Sequence, residues 1–111
     1  MIISYKQFTD VQIIVGTVIK AETFPKAKNP SYKVWVDFGP VVGILQTSAQ
    51  ITVHYKPEQL LNTQIIGCIN LGEKNIAGFI SQFLLLGCAD QNGAIILVAP
   101  AMTVPNGSKL H

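Results

Sequence analysis

The segment Tyr32 to Phe38, YKVWVDF, alternates without a fault. Tyr32, Val34, Val36 and Phe38 fall on one face, and Lys33, Trp35 and Asp37 fall on the other. Successive side chains of a strand point to opposite faces, so the segment reads as a half-buried strand. Its hidden face is aliphatic and aromatic. Its outer face pairs a lysine with the chain's one tryptophan. Whatever fold the chain adopts must bury the first set and present the second.

The rest of the chain supplies partners of the same kind. Val11 to Glu22 (VQIIVGTVIKAE) is β-branched and ends in alternation, with Val18 in phase with Gly16 and Lys20, and Ile19 with Thr17 and Ala21. A glycine inside such a strand suggests a bulge or a sharp bend, here at Gly16. Val42 to Thr52 forms a third strand that passes into an irregular segment, Gln64 to Leu71 a fourth, Ser81 to Leu86 a fifth and Ala94 to Ala99 a sixth. Thr23 to Ser31, with two prolines and two lysines, is a loop, as is Gly72 to Ile80. Gly39-Pro40, Asp90 to Gly93 and Asn106-Gly107 mark turns. Two short helices are expected. One spans Ser4 to Asp10, with serine as its cap and Tyr5, Phe8 and Val11 at helical spacing; the other spans Lys56 to Leu61, with Pro57 in its first turn.

Short strands broken by Gly/Pro turns make an all-β barrel pattern. The helix between the third and fourth strands favours a five-stranded Greek-key OB-fold, with a short N-terminal helix and extra C-terminal strand material, over an SH3-like barrel. The length, 111 residues, makes residues 1–111 a single domain. The fifth and sixth strands, Phe83 to Leu86 and Ile95 to Val98, are apolar at every position, which asks for cover on both faces. A two-fold homodimer, helped by the chain's own ends, is the expected cover, with cover by those ends alone as the alternative.

Composition narrows the function. Eight lysines, no arginine and six acids give a net charge of +2, too little for a dedicated nucleic-acid clamp. Without arginine there is no bidentate fork for phosphate or guanine, so any contact with nucleic acid is expected to be local, lysine-based and salt-sensitive. The six acids and two histidines (His54 without a neighbouring carboxylate) form no catalytic constellation, so no enzyme is expected. Cys68 and Cys88 lie in apolar runs, match no zinc spacing, and read as small buried hydrophobes in a reducing compartment. No metal and no cofactor are expected. The N-terminus has no secretory pattern and no run approaches the ~20 apolar residues of a membrane span, so a cytoplasmic location is expected.

Ligands of such barrels lie across the second and third strands, between the loops that follow the first and the fourth. Those loops carry Lys26, Lys28 and Lys74. With Lys33 and Trp35 they offer charge for phosphate and a flat ring for a base. Gly78 would permit close approach of a backbone, and Asn70 and Ser81 offer short hydrogen-bonding groups. Each has a plainer alternative: Trp35 fits a dimer contact as well as a ligand contact, Ser81 a turn cap, Asn70 a strand end, and Lys26 and Lys28 ordinary solvated lysines.

Val15-Gly16-Thr17-Val18, Val36-Asp37-Phe38-Gly39, Ser48-Ala49-Gln50-Ile51-Thr52, Tyr55-Lys56-Pro57-Glu58-Gln59-Leu60, Asn70-Leu71 and Ile76-Ala77-Gly78-Phe79-Ile80-Ser81 occur in that order. Together they resemble the CsaA family of secretion-associated chaperones, within the wider group of tRNA-binding OB-fold domains also found on methionyl- and phenylalanyl-tRNA synthetases. The resemblance runs from Phe8 to Lys109. It implies a cofactor-free homodimer that binds tRNA, exported or unfolded polypeptide, or both; alternatively, a free-standing tRNA-binding module assisting a synthetase or other RNA partner. It points to Asn70, Lys74, Gly78, Ser81 and Leu84 as contact positions. Asn75, Ile80 and Leu45 stand where a basic residue is usual in that group, Gln82 where an acid is, and Leu84 where methionine is common. The surface is thereby greasier than a dedicated tRNA grip and better suited to apolar peptide side chains.

Overall fold

The computed structural model describes residues 1–111. Helix α1 spans Tyr5–Asp10 and is fixed at its start by a reciprocal cap: Ser4 Oγ accepts from Gln7 N at 3.0 Å, and Gln7 Oε1 accepts from Ser4 N at 2.8 Å. Strands β1 (Ile13–Thr23), β2 (Tyr32–Asp37), β3 (Ile44–Ala49), β4 (Gln64–Cys68) and β7 (Leu84–Leu85) form one antiparallel sheet in the order β3-β2-β1-β4-β7. The sheet curls until its two edges meet. Gln82 N donates to Gln46 O at 2.8 Å, Ser48 N to Ser81 Oγ at 2.9 Å, and Thr47 Oγ1 to Phe83 O at 2.7 Å. These bonds make a nearly closed five-stranded barrel of the OB type. Two-stranded β5–β6 (Lys74–Ile76, Phe79–Ser81) and β8–β9 (Gly87–Ala89, Ile95–Leu97) are appended to it.

The barrel interior is the set the alternation of β2 demands. Val34, Val36 and Phe38 are buried with Ile14, Val18, Ile65 and Phe83, and Leu60 of helix α2 (Pro57–Leu60) joins the same cluster. Helix α2 thus packs where an interposed helix was expected. Phe38 and Phe83 meet edge to face, ring centres 4.9 Å apart.

Four local expectations are corrected. The irregularity in β1 lies at Ile19, where the register jumps from Val18↔Val36 to Lys20↔Trp35. Gly16 instead lets two layers close: an added Cβ would stand 2.5 Å from Val36 Cγ1 and 2.9 Å from Asp37 O. The expected loop 72–80 is the β5–β6 hairpin, turned by Ala77 (φ 49°) and Gly78 (φ 86°), a pairing of left-handed residues that matches strand twist. The expected strand Ser81 to Leu86 is interrupted, because Gln82 and Phe83 turn toward β3 before β7 begins. Cys88 is exposed, opposite Ile96, while Cys68 is buried.

The all-apolar runs do alternate in burial. Leu85, Ile95 and Leu97 pack against the core, whereas Leu84 is 50% and Ile96 41% exposed. The C-terminal tail lies along the part of β1 that β2 leaves free: Val15 N donates to Ser108 O, Gly107 N to Val15 O and Leu110 N to Ile13 O. No helix is long and apolar enough to cross a membrane.

Candidate nucleic-acid interface

The bulge at Ile19 sets the chemistry of the barrel's outer face. Without it, Lys20 would share the inward phase of Val18. With it, Lys20 turns outward beside Trp35, and Ala21 turns in against the core. Two rows of side chains then cross the sheet. Lys20, Trp35 and Gln46 are register partners along β1, β2 and β3, as are Glu22, Lys33 and Ser48. The β6–β7 segment extends both rows, through Gln82 at Gln46 and Ser81 at Ser48.

An aromatic ledge stands on this face. Phe79 on β6 meets Trp35 edge-on at 5.7 Å and Phe24, at the start of the loop after β1, at 5.6 Å. Lys33 Nζ lies 4.8 Å from the centre of Phe24 and 5.1 Å from that of Phe79; Lys20 Nζ lies 4.6 Å from Trp35. Each such contact contributes on the order of 0.5–1 kcal/mol at an exposed site, enough to keep the ammonium beside the ring. Lys20 also approaches Glu22 at 3.7 Å, an exposed pair of little energetic weight. Phe24 is itself buried, only 4% exposed, and backs Phe79; the half-buried Trp35 and Phe79 present the flat apolar surface, with cations held at its border.

The sequence-expected residues divide. Lys33 and Trp35 are in the ledge. Ser81 is buried behind it, bonded to Ser48 N, with its Oγ 3.2 Å from Ser48 Oγ. Lys74 is exposed on β5, opposite Ser81 across the hairpin. Gly78 sits at the exposed hairpin tip with open space around it, its N–H held by Asn75 Oδ1 at 2.8 Å. Lys26 and Lys28 are exposed on the loop that begins at Phe24. Asn70 is committed elsewhere: it accepts from Gln12 N and donates to Asp10 O, tying α1 to the end of β4. Leu84 lies opposite Cys68 on β7 and takes no part in the ring cluster. Of the positions short of a basic residue, Leu45 faces inward with Val36 and packs against the core.

Sequence reasoning missed Lys20, Phe24, Phe79 and Gln46. Phe79 was visible in the hairpin motif, but its partners are 44 and 55 residues away in the chain. It also missed a carboxylate beside His54. Asp90 Oδ2 lies 2.8 Å from His54 Nε2, and this hydrogen bond, followed by those from Asn92 N and Ala94 N, holds the Asp90 carboxyl below its ordinary range.

A family model described as "Putative tRNA binding domain" matches residues 13–109. The chain belongs to this tRNA-binding domain family. Among curated proteins, it is 33% identical over 109 residues to the methionine–tRNA ligase of Chlorobium chlorochromatii, a match that covers 98% of this chain and 15% of the ligase. The chain thus spans a small part of that relative's length. Among solved structures it is similar along its whole length to the chaperone CsaA of Bacillus anthracis (38% identity, TM-score 0.93, 100% of both chains). It is also similar to the CsaA chaperone protein of Picrophilus torridus (37% identity, TM-score 0.91, 99% of this chain and 100% of that one). The ledge lies within the span that this family covers.

Proposed function

We propose that this chain is a non-enzymatic cytoplasmic protein that binds tRNA on the Phe24–Phe79–Trp35 ledge. The observation that carries the reading is the clustering of three rings with two outward lysines on the barrel's outer face, in a chain of the tRNA-binding family. Unpaired bases stack on Trp35 and Phe79, which the buried Phe24 supports from beneath. Lys20 and Lys33 meet phosphates at the border, and Lys26, Lys28 and Lys74 meet them on the flanking loops. With point charges and no arginine fork, binding is modest and strongly salt-dependent.

A second ligand, unfolded or exported polypeptide, is favoured by the full-length likeness to two chaperone structures. The same ledge suits it, since rings flanked by hydrogen-bonding groups accept apolar side chains. The chain works as a two-fold homodimer, a reading supported by Leu84 and Ile96, which face outward on β7 and β9. Shared ancestry with a synthetase segment also supports a role as an RNA-holding module for a synthetase or another RNA partner.

One competition tests these readings. Labelled tRNA is bound at two salt concentrations, and an unfolded polypeptide is then added. Displacement of tRNA supports one shared surface, and an additive complex supports two. A protein that shifts neither ligand at low salt has neither function.

A further inference from the structure

Beside Trp35, in the same outward row, two half-buried glutamines hold each other and the tryptophan in a set of hydrogen bonds. Gln46 Oε1 accepts from Trp35 Nε1 at 3.2 Å, and Gln46 Nε2 donates to Ile80 O at 2.9 Å. Its main chain is gripped in return: Gln46 N donates to Gln82 Oε1 at 3.0 Å, and Gln82 N donates to Gln46 O at 2.8 Å. The partners fix the amide's orientation. An indole N–H can only donate and a carbonyl can only accept, so the Gln46 oxygen must face Trp35 and its nitrogen must face Ile80. Ile80 belongs to β6, directly after Phe79. One side chain therefore sets both the indole of Trp35 and the strand that carries the ring packed against it.

We propose that Gln46 and Gln82 form a positioning clasp for the ligand ledge: they hold Trp35 and the β5–β6 hairpin in the arrangement that receives a base, without touching the ligand themselves. The proposal rests on the tRNA-binding reading for its ligand, but the clasp can be observed in the free protein. Neither glutamine is charged, so the clasp alters how the rings are presented and leaves the number of phosphate contacts unchanged. A stability role alone would not predict this combination. Hairpin β5–β6 is short and shares no strand ladder with the main sheet, so its attachment relies on the Gln46–Ile80, Gln46–Gln82 and Ser48–Ser81 bonds at its β6 end and on the ring contacts of Phe79.

The test uses the single tryptophan. In Gln46→Leu, the indole N–H should exchange with solvent at least tenfold faster than in the parent and the emission should move to the red, with far-ultraviolet circular dichroism unchanged. Affinity for a tRNA should fall about tenfold, the loss expected when one base is no longer stacked, while the slope of log affinity against log salt stays the same. Gln46→Glu keeps an acceptor for the indole and loses the donor to Ile80, and guards against a leucine variant that fails to fold. It is read by indole exchange alone, which should stay slow, because its added carboxylate repels phosphate whatever the clasp does. Gln82→Leu should act in the same direction as Gln46→Leu. Unchanged indole exchange and emission in both leucine variants would overturn the clasp, as would an affinity loss accompanied by a flatter salt slope. If the parent protein bound no tRNA at any salt, the RNA reading would fail, and the clasp would be judged by indole exchange alone.

Discussion

Two of the outward apolar regions of the barrel are built differently. On the β1–β2–β3 face, Trp35 and Phe79 are interlocked edge to face over the buried Phe24, bordered by Lys20 and Lys33, and flanked by the hydrogen-bonded Gln46 and Gln82. On the β7–β9 side, Leu84 and Ile96 stand outward as aliphatic side chains, 50% and 41% exposed. Aromatic surface bordered by charge remains soluble while it waits for a ligand that is itself part flat and part charged. Bare aliphatic surface is matched best by another aliphatic surface. In the proposed reading, the first is a recognition face and the second an association face.

The sharpest way to break that division is to charge the aliphatic side. In a two-fold dimer a patch meets its own copy, so Leu84→Glu with Ile96→Glu would set like charges against each other, at a cost of several kcal/mol. Sedimentation should show the parent at the mass of two chains and the double variant at the mass of one, with tRNA still bound. A parent already at one-chain mass would remove the association face. The next largest effect belongs to the ledge. Trp35→Ala should weaken tRNA binding by about 1–3 kcal/mol, while Trp35→Phe keeps most of the affinity and both leave the chain's mass in solution unchanged. Equal binding by the alanine variant would mean that bases are not stacked there.

How far the sequence reveals this division follows from which contacts are local. The alternation of Tyr32 to Phe38 is local, and it predicts both the buried face and the Lys33–Trp35 pairing that the structure places outward. The order of short strands around one helix is likewise visible from Gly/Pro turns and from Pro57. The bulge at Ile19 is not, because a strand of β-branched residues gives no signal of where an extra residue slips in; so Lys20 is assigned to the wrong face. The β5–β6 hairpin is hidden because alanine rarely takes the left-handed position that Ala77 occupies. Asn70 looks like a ligand contact in one dimension and proves to tie α1 to β4, 60 residues apart in the chain.

A smaller effect separates charge from stacking. Lys20→Ala and Lys33→Ala should each weaken tRNA binding by about 0.5–1 kcal/mol at low salt and flatten the salt slope by roughly 0.7, the value for one released counterion on a single strand. Lys26→Ala, Lys28→Ala and Lys74→Ala combined should flatten it further. The aliphatic-side variants should leave the slope alone, so titration of tRNA at several salt concentrations assigns the phosphate contacts to one face. A slope unmoved by all five lysines would place the nucleic acid elsewhere.

The smallest predicted effect concerns how the aliphatic side is fastened. Its outermost hairpin, β8–β9, is anchored by Tyr55, whose Oη accepts from Leu97 N at 2.9 Å, and by the His54–Asp90 contact. Asp90 also accepts from Asn92 N and Ala94 N, each at 2.9 Å, so its ionised carboxylate organises the turn. These bonds lower its pKa from 3.8, first through His54 and then through the two amides. A carboxyl depressed in the folded state adds stability that is complete above its unfolded value and is lost as pH falls through the folded one. Amide exchange at Asn92 and Ala94 should therefore be slow and flat near neutrality, after correction for intrinsic rates, and should accelerate only in acid, below pH 3.8. In Asp90→Asn the acid step should disappear while the ledge amides, Gln46 and Gln82, keep their parent exchange rates. An acid step that persisted in Asp90→Asn, or that opened the ledge together with the turn, would mean that the two sides do not loosen independently.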